Sequence, residues 1–387
     1  MGTPRAWRIA VLPGDGIGPE VMEQTLKALE TLQTQGALDL QLDVKEWPST
    51  AWHQKHGRMM PEDGLSQLSA YDAILLGALG DPGPTSDPNR YVLSDSLSLS
   101  PLLDIRKGFD QWACERPARL LPGARAYLAD HRAQDVDMLV IRENSEGEYV
   151  GQGGRLKAGT PDEIATQTEV FTRKGTDRII RYAFEQARLR ARAREQEGRQ
   201  RQFHHPDGRD RHAQVCLVTK RNALKYWGDM YTEAFGAIAT EYPDIATHHE
   251  LVDAACMKFV QAPWQFDVVV ASNLQGDILT DLAAVLSGGM GVAPSCNLNP
   301  DNENVPSMFE PTHGSAPDIA GHGLADPTAM LFTAARMLEW LGQRDAATAE
   351  AGRQLFDAVA ADLAASQEAG PRRTNMIGDA ICQRLQQ

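Results

Sequence analysis

The chain has 387 residues, 42% hydrophobic and 23% charged, with 33 Gly and 22 Pro, which excludes disordered and fibrous classes and suits two or three folding units. With 38 Lys and Arg against 52 Asp and Glu, the formal net charge of -14 disfavours nucleic acid and anionic membranes, while arginines gathered in one cleft can still attract an anionic small molecule. Five scattered cysteines, Cys114, Cys216, Cys256, Cys296 and Cys382, lack C-x-x-C spacing and point to the reducing cytoplasm, and neither an export signal nor a membrane span is expected.

In chain order, a short strand at Arg8–Leu12 runs into Pro13-Gly14-Asp15-Gly16-Ile17-Gly18-Pro19-Glu20 and then a helix carrying Val21, Leu26 and Leu29. Further strands are predicted at Ala73–Leu76, Met138–Ile141, Val215–Val218 and Val268–Ala271, alternating with helical stretches such as Asp177–Arg188. Ser94–Ser100 reads as a Ser/Leu-rich connection. The stretch from Arg190 to His212, rich in Arg and Gln with His204-His205-Pro206, reads as a surface insert, a solvated loop or helix extension, though such a run could also bind an anion or metal. The alternation predicts an α/β protein with a largely parallel sheet.

Several motifs admit a chemical and a structural reading. Gly14-x-Gly16-x-Gly18 has the wrong spacing for the G-x-G-x-x-G dinucleotide fingerprint, and taken alone a glycine turn that only permits close strand-to-helix packing is the favoured reading. Asp277 and Asp281 are four apart, so on a helix both carboxylates leave one face while Ile278, Leu282 and Val285 pack inward; such a pair suits a hard divalent cation or a solvated helix face. Arg106, Arg116 and Arg142 could grip a small dicarboxylate if they converge. Lys220 ends the strand at Val215–Thr219, where it is either a general base or a lysine snorkelling at a strand end.

Taken together, the segments resemble the β-decarboxylating dehydrogenases, the isopropylmalate/isocitrate dehydrogenase family, nearest its D-malate/tartrate branch. The resemblance rests on Leu12 to Glu20, Arg142-Glu143-Asn144-Ser145-Glu146-Gly147-Glu148-Tyr149, the Asp277–Asp281 segment, and Glu310-Pro311-Thr312-His313-Gly314-Ser315-Ala316-Pro317-Asp318-Ile319-Ala320-Gly321. It implies two α/β domains with a mixed sheet, a central cleft and a dinucleotide site unlike the Rossmann one. Residues 1–111 and 288–387 would form a discontinuous NAD-binding domain, and residues 112–287 the substrate, metal and dimerisation domain.

Carried over residue by residue, the resemblance implies that Arg106, Arg116 and Arg142 bind substrate carboxylates, with Leu102 and Leu103 beside them, and that Tyr149 and Lys220 are the acid/base pair. Asp277 and Asp281 would bind Mg2+ or Mn2+ together with Asp253 of a second subunit, making a homodimer with shared active sites. Ile17, His313, Gly314, Ser315, Ala316, Asp318, Ile319 and Asp326 would meet the cofactor. Asp318 and Ile319 stand where NADP-dependent relatives carry Lys and Tyr, and a carboxylate repels a 2'-phosphate, so NAD is expected, with K+ as an optional further ion. Ser100, Leu102 and Leu103 replace the Ser and Asn of isocitrate enzymes, which leaves D-malate or tartrate as the expected substrate and 3-isopropylmalate, or another 3-substituted malate, as the alternative. A non-catalytic binding subunit is the competing reading from another class, disfavoured because such a subunit would not need the whole set of chemical residues.

Overall fold

The computed structural model describes residues 5–366 and 370–387. The chain opens with β1 (Ala6–Gly14), α1 (Gly18–Thr34), β2 (Asp39–Val44), α2 (Thr50–His56), α3 (Gly64–Leu68), β3 (Ala73–Ala78), α4 (Asp95–Ser98) and α5 (Ser100–Gly108). The middle of the chain carries β4 (Ala113–Arg119), β5 (Asp137–Glu143), β6 (Gly147–Leu156), β7 (Ile164–Val170), α6 (Arg173–Gln196), β8 (Phe203–His204), β9 (Asp210–Arg211), β10 (Gln214–Thr219), α7 (Lys225–Ala239), β11 (Ala246–Leu251), α8 (Val252–Gln261), β12 (Val268–Ala271) and α9 (Asn273–Leu286). The last stretch holds β13 (Pro294–Leu298), β14 (Ser307–Pro311), α10 (Thr328–Leu341), α11 (Ala346–Ala365) and α12 (Thr374–Leu385).

These elements separate into two compact units: Met1–Gln111 with Leu120–Tyr127 and Ser287–Gln387, and Trp112–Arg119 with Leu128–Leu286. In the first unit the strands run β13-β14-β3-β1-β2, parallel except for the antiparallel β13/β14 pair. Strand β3, Ala-Ile-Leu-Leu-Gly-Ala, is buried along its whole length, as a strand covered on both faces requires. Leu12, Leu68, Ile74, Ile105, Phe109 and Met308 pack into one core cluster, and Ile105 anchors there the helix that carries Arg106.

In the second unit the order is β11-β10-β12-β5-β4, parallel apart from β4 against β5. Three of the four strand pairs in each unit are parallel, the largely parallel pairing that strand alternation suggested, and one antiparallel pair in each makes the sheet mixed, as the family resemblance implied. Thr172 caps α6 by accepting from the Gly175 N–H at 2.9 Å, and Ile179, Ile180, Ala183, Phe184 and Ala187 make its buried stripe. β6 and β7 form a separate hairpin whose second strand is exposed throughout.

Two expectations need correction. Ser94–Ser100 is not a plain connection, since α4 and the start of α5 occupy it. The stretch from Arg190 to His212 is not simply a solvated insert: α6 continues to Gln196, β8 pairs with β9, and Arg190 and Arg194 turn inward onto Asp267, which is fully buried. Charged side chains go inside here because carboxylates wait for them, which no local apolar period reveals.

Candidate active site

Arg142 stands at the C-terminal end of β5, and the antiparallel register sets Cys114 opposite it, so Arg116, two residues further along β4, shares its face. β12 runs parallel with Ala271 beside Arg142, and α9 starts immediately afterwards. A Cβ on Gly276 would lie 2.8 Å from the Cβ and Cγ of Arg142, so only glycine lets that side chain lie across the helix. There the Arg142 Nε donates to Asn273 Oδ1 at 2.9 Å, and its Nη1 is ion-paired with Asp277.

Tyr149, near the start of β6, donates its hydroxyl to the other oxygen of Asp277 at 2.9 Å, and the Arg142 guanidinium lies 5.3 Å from its ring centroid. Glu148 fastens this turn by accepting from the Leu274 N–H at 3.1 Å and the Ser272 hydroxyl at 3.3 Å. Asp281, one helical turn beyond Asp277, accepts no hydrogen bond from the described residues. Desolvation and the neighbouring Asp277 raise its carboxyl pKa, while Arg116 and Arg142 pull it down. A pair of hard oxygen donors, one of them without a partner, fits a divalent cation such as Mg2+ or Mn2+.

The packing expected of α9 is corrected. Its buried side holds Gln275, Gly276, Leu279, Thr280 and Ala283, whereas Leu274 (39%), Ile278 (52%) and Val285 (39%) are exposed and Leu282 is half-buried. Small side chains allow the helix to lie close to β5, which leaves the larger aliphatic ones on the same outer side as the aspartates.

Lys220, just after β10, donates to Asp253 in the first turn of α8 at 2.5 Å, and this ammonium holds the Asp253 carboxyl below its ordinary value. Among the described residues of one chain, no group of three His, Cys, Asp or Glu side chains is placed to hold a metal ion.

In the first unit, Arg106 is 5% exposed and donates to Glu310 Oε1 at 2.8 Å, an oxygen that also accepts from Asn297 Nδ2 at 2.9 Å. The Arg106 Nε is buried and without an acceptor. Leu102 and Leu103 are half-buried on the same helix.

The glycine turn after β1 serves close approach: a Cβ on Gly14 would lie 1.8 Å from the Ala78 carbonyl oxygen, and one on Gly16 2.0 Å from that of Ser315. The Ile17 N–H donates to that same Ser315 oxygen at 2.9 Å, tying the turn to the loop from His313 to Gly323. Glu20 secures the loop's far end, accepting from the Gly321 N–H and, at 3.0 Å, from Gly323. Within this loop Ala316 holds a positive φ of 40°, Asp318 is exposed, and Ile319 is half-buried. Burial lowers the His313 pKa, keeping the ring neutral, and its Nε2 is buried without a partner. An orphaned ring nitrogen in a loop that also presents an exposed carboxylate fits a bound ribose or amide group, so the loop suits a nicotinamide cofactor. The Asp326 carboxylate accepts from the Thr328 N–H at 2.9 Å at the start of α10, and its charge acts on the His313 ring.

The sequence profile of the isocitrate/isopropylmalate dehydrogenase family matches residues 8–197 and 203–381. The chain belongs to this family. Membership makes it an oxidative, decarboxylating hydroxyacid dehydrogenase. It is 44% identical to 3-isopropylmalate dehydrogenase of Thermobifida fusca, covering 98% of both chains. It is 40% identical to a probable tartrate dehydrogenase/decarboxylase of Agrobacterium vitis (98% and 97% covered) and to the decarboxylating D-malate dehydrogenase of Escherichia coli (98% of both). The crystal structure of isocitrate dehydrogenase from Methylococcus capsulatus superposes with a TM-score of 0.78 at 34% identity, covering 98% of this chain and all of that one.

Three positioning residues of this family member escaped the sequence reading: Asn273, Gly276 and Glu310. Asn273 carried a usable signal, because it lies one helical turn before Asp277 and so on the same side of α9.

Proposed function

We propose that the protein oxidises and decarboxylates D-malate or tartrate with NAD and Mg2+ or Mn2+, as a homodimer whose copies share active sites. The observation that carries this reading is the cluster of Arg142, Asn273, Asp277 and Tyr149, which sets a carboxylate-binding fork, a metal-type carboxylate and a phenol proton donor side by side.

Asp277 and Asp281, completed by Asp253 of a second copy, would hold the cation, whose chemistry is to acidify the substrate hydroxyl and to stabilise negative charge on that oxygen. Ile17 and the His313–Ile319 loop would hold NAD, which would supply the acceptor for the hydride leaving C2. Arg106, Arg116 and Arg142 bind and orient the carboxylates. Lys220 takes the hydroxyl proton as the C2–H bond breaks, leaving a β-keto acid. The bond to the departing carboxylate then breaks, its electron pair passes into an enolate, and the Tyr149 hydroxyl delivers a proton to carbon. In the single chain Lys220 and Asp253 pair with each other and no group of three acidic, His or Cys side chains is placed to hold a metal among the described residues, which accords with a neighbouring copy completing the site.

The exposed Leu274, Ile278 and Val285 of α9, with Met257 and Val260 of α8, offer an apolar surface for that second copy. Asp318 supports NAD over NADP, since its carboxylate would repel a 2'-phosphate. A second reading, 3-isopropylmalate or another 3-substituted malate, is favoured by the half-buried Leu102 and Leu103 and the exposed Leu97 and Leu99 ahead of Arg106, which suit an alkyl substituent.

The deciding experiment follows NADH formation with Mn2+ or Mg2+ and K+ over D-malate, L- and meso-tartrate, 3-isopropylmalate and isocitrate, with NADP in parallel. Metal-dependent turnover of D-malate or tartrate with NAD supports the main reading. Turnover of 3-isopropylmalate alone transfers support to the second, and equal rates on malate and its isopropyl derivative sink both.

A further inference from the structure

The turn between Arg142 and Tyr149 carries the carboxylates of Glu143, Glu146 and Glu148, and one of them ties it to a helix that takes no part in the reaction. Glu146 is buried, and its two oxygens accept from the Thr172 N–H at 2.9 Å and the Thr172 hydroxyl at 2.8 Å. Thr172 caps the 24-residue helix α6, so this carboxylate sits at the positive end of the helix dipole with both oxygens satisfied. A Cβ on Gly175, in the first turn of α6, would lie 2.4 Å from Glu146 Oε1 and 2.5 Å from its Cδ, so the missing side chain at 175 is what admits the carboxylate.

The other side of the turn belongs to α9. The Glu146 carbonyl oxygen accepts from Asn273 Nδ2 at 2.9 Å, and a Cβ on Gly147 would lie 3.3 Å from Asn273 Cβ and 3.4 Å from Phe171 Cε1. Phe171, just ahead of Thr172, stacks on Trp227 of α7 with ring centroids 4.8 Å apart. The main chain three residues before Tyr149 is therefore clamped between two helices, by its side chain to α6 and by its carbonyl to α9. Neighbouring bonds hold the turn closed in their own right: Glu143 accepts from the Glu146 N–H at 2.9 Å, and Arg178 donates to Ser145 Oγ at 2.7 Å. Loss of the Glu146 carboxylate should accordingly shift the turn rather than unfold it.

We propose that Glu146 is a positioning residue for proton transfer: by fastening the turn to α6, it sets the place from which the Tyr149 hydroxyl reaches the enolate carbon. The inference rests on the reading above that Tyr149 protonates the enolate. Asp277 holds the tip of the Tyr149 side chain, and Glu146 fixes its base through the main chain. A misplacement of about 1 Å can cost a reaction step on the order of 100-fold, so the proton transfer should suffer most. Arg142 has its own acceptors on α9, so carboxylate binding should suffer less.

The test uses two variants of the full-length protein beside Tyr149→Phe. Glu146→Gln keeps the shape but presents a donor where Thr172 also donates. Gly175→Ala pushes the carboxylate off Thr172 while favouring the helix, and it carries the test should Glu146→Gln fail to fold. NADH absorbance is followed by stopped flow, in H2O and D2O, with the hydroxyacid that the substrate panel above shows to be turned over. Because protonation comes after hydride transfer, NADH should appear in the first turnover at near the wild-type rate. Steady-state turnover should then be about tenfold or more slower, slower still in D2O, with KM moving less than kcat. Tyr149→Phe should show the same two phases more strongly. An unchanged kcat, or a first turnover and steady state that fall together as general loss of structure would make them, overturns the proposal; the reading of Tyr149 survives if Tyr149→Phe keeps its two phases. If Tyr149→Phe turns over like wild type, that reading and this inference fall together.

Discussion

Arg142 donates to two acceptors on a single helix, so its fork is aimed before any substrate arrives. Asn273→Ala removes the neutral acceptor and frees the guanidinium to swing. A hydrogen bond to a charged group contributes about 1.5–3 kcal/mol, so kcat/KM should fall roughly 10- to 100-fold, mainly through KM, as steady-state kinetics would show. Tyr149 serves a different step. Tyr149→Phe keeps the ring over Arg142 and removes only the proton, so kcat should drop about 100-fold or more while substrate KM and Tm stay near wild type. An unchanged kcat would remove Tyr149 from the chemistry. Both Asp277 and Tyr149 were legible from the family motifs. Asn273 was only half legible: its place one turn ahead of Asp277 showed in the spacing, but its bond to Arg142 depends on the strand beside it, which spacing does not reveal.

α9 and α6 show, as elements, what periodicity reveals and what it leaves out. The spacing of Asp277 and Asp281 put both carboxylates on one side of a helix, as found, but the aliphatic residues assigned to the core lie outside, because a helix pressed close to β5 buries its small residues instead. Gly276→Ala would drive a methyl into Arg142, and overpacking of this kind costs about 1–3 kcal/mol, measurable by urea unfolding together with lost activity. In α6 the arginines read as solvated are structural. Their partners Asp137 and Asp267 are distant in sequence, so nothing local could mark the burial.

That same cluster predicts an acid sensitivity. Burial alone would raise the Asp137 carboxyl, but Arg190, Arg201 and Arg119 outweigh it and hold the group well below its usual range. A depressed native pKa adds stability that is fully present above the unfolded-state value of 3.8 and is lost as pH falls towards the native one. Asp137→Asn should therefore lower stability at neutral pH and flatten its decline in the acid range, as denaturant melts across pH would record. Parallel slopes in variant and wild type would refute this account.

For the whole molecule, the division of labour between copies can be tested without a structure of the dimer. Lys220→Ala and Asp277→Asn should each be inactive alone. If each active site draws Lys220 from one copy and Asp277 from the other, dissociating and reassociating an equal mixture should restore about a quarter of wild-type activity, since half the dimers then carry one intact site. Sites built within single chains would restore none. Ile278→Asp, in the exposed aliphatic surface of α9, should yield monomers in sedimentation experiments while NAD binding persists.

The first unit is assembled from distant parts of the chain, and this sets a timetable for its birth on the ribosome. β3, at Ala73–Ala78, takes its sheet neighbour from β14 at Ser307–Pro311. At about 5–20 residues per second, the emerging β1-β2-β3 segment waits on the order of ten seconds or longer for that neighbour. The second unit, drawn almost entirely from one continuous run, emerges whole in the interval. The nascent edge of β3, apolar along its full length, is consequently the segment most in need of shielding during translation, and chaperone demand should concentrate there rather than on the unit that carries Arg142 and Tyr149.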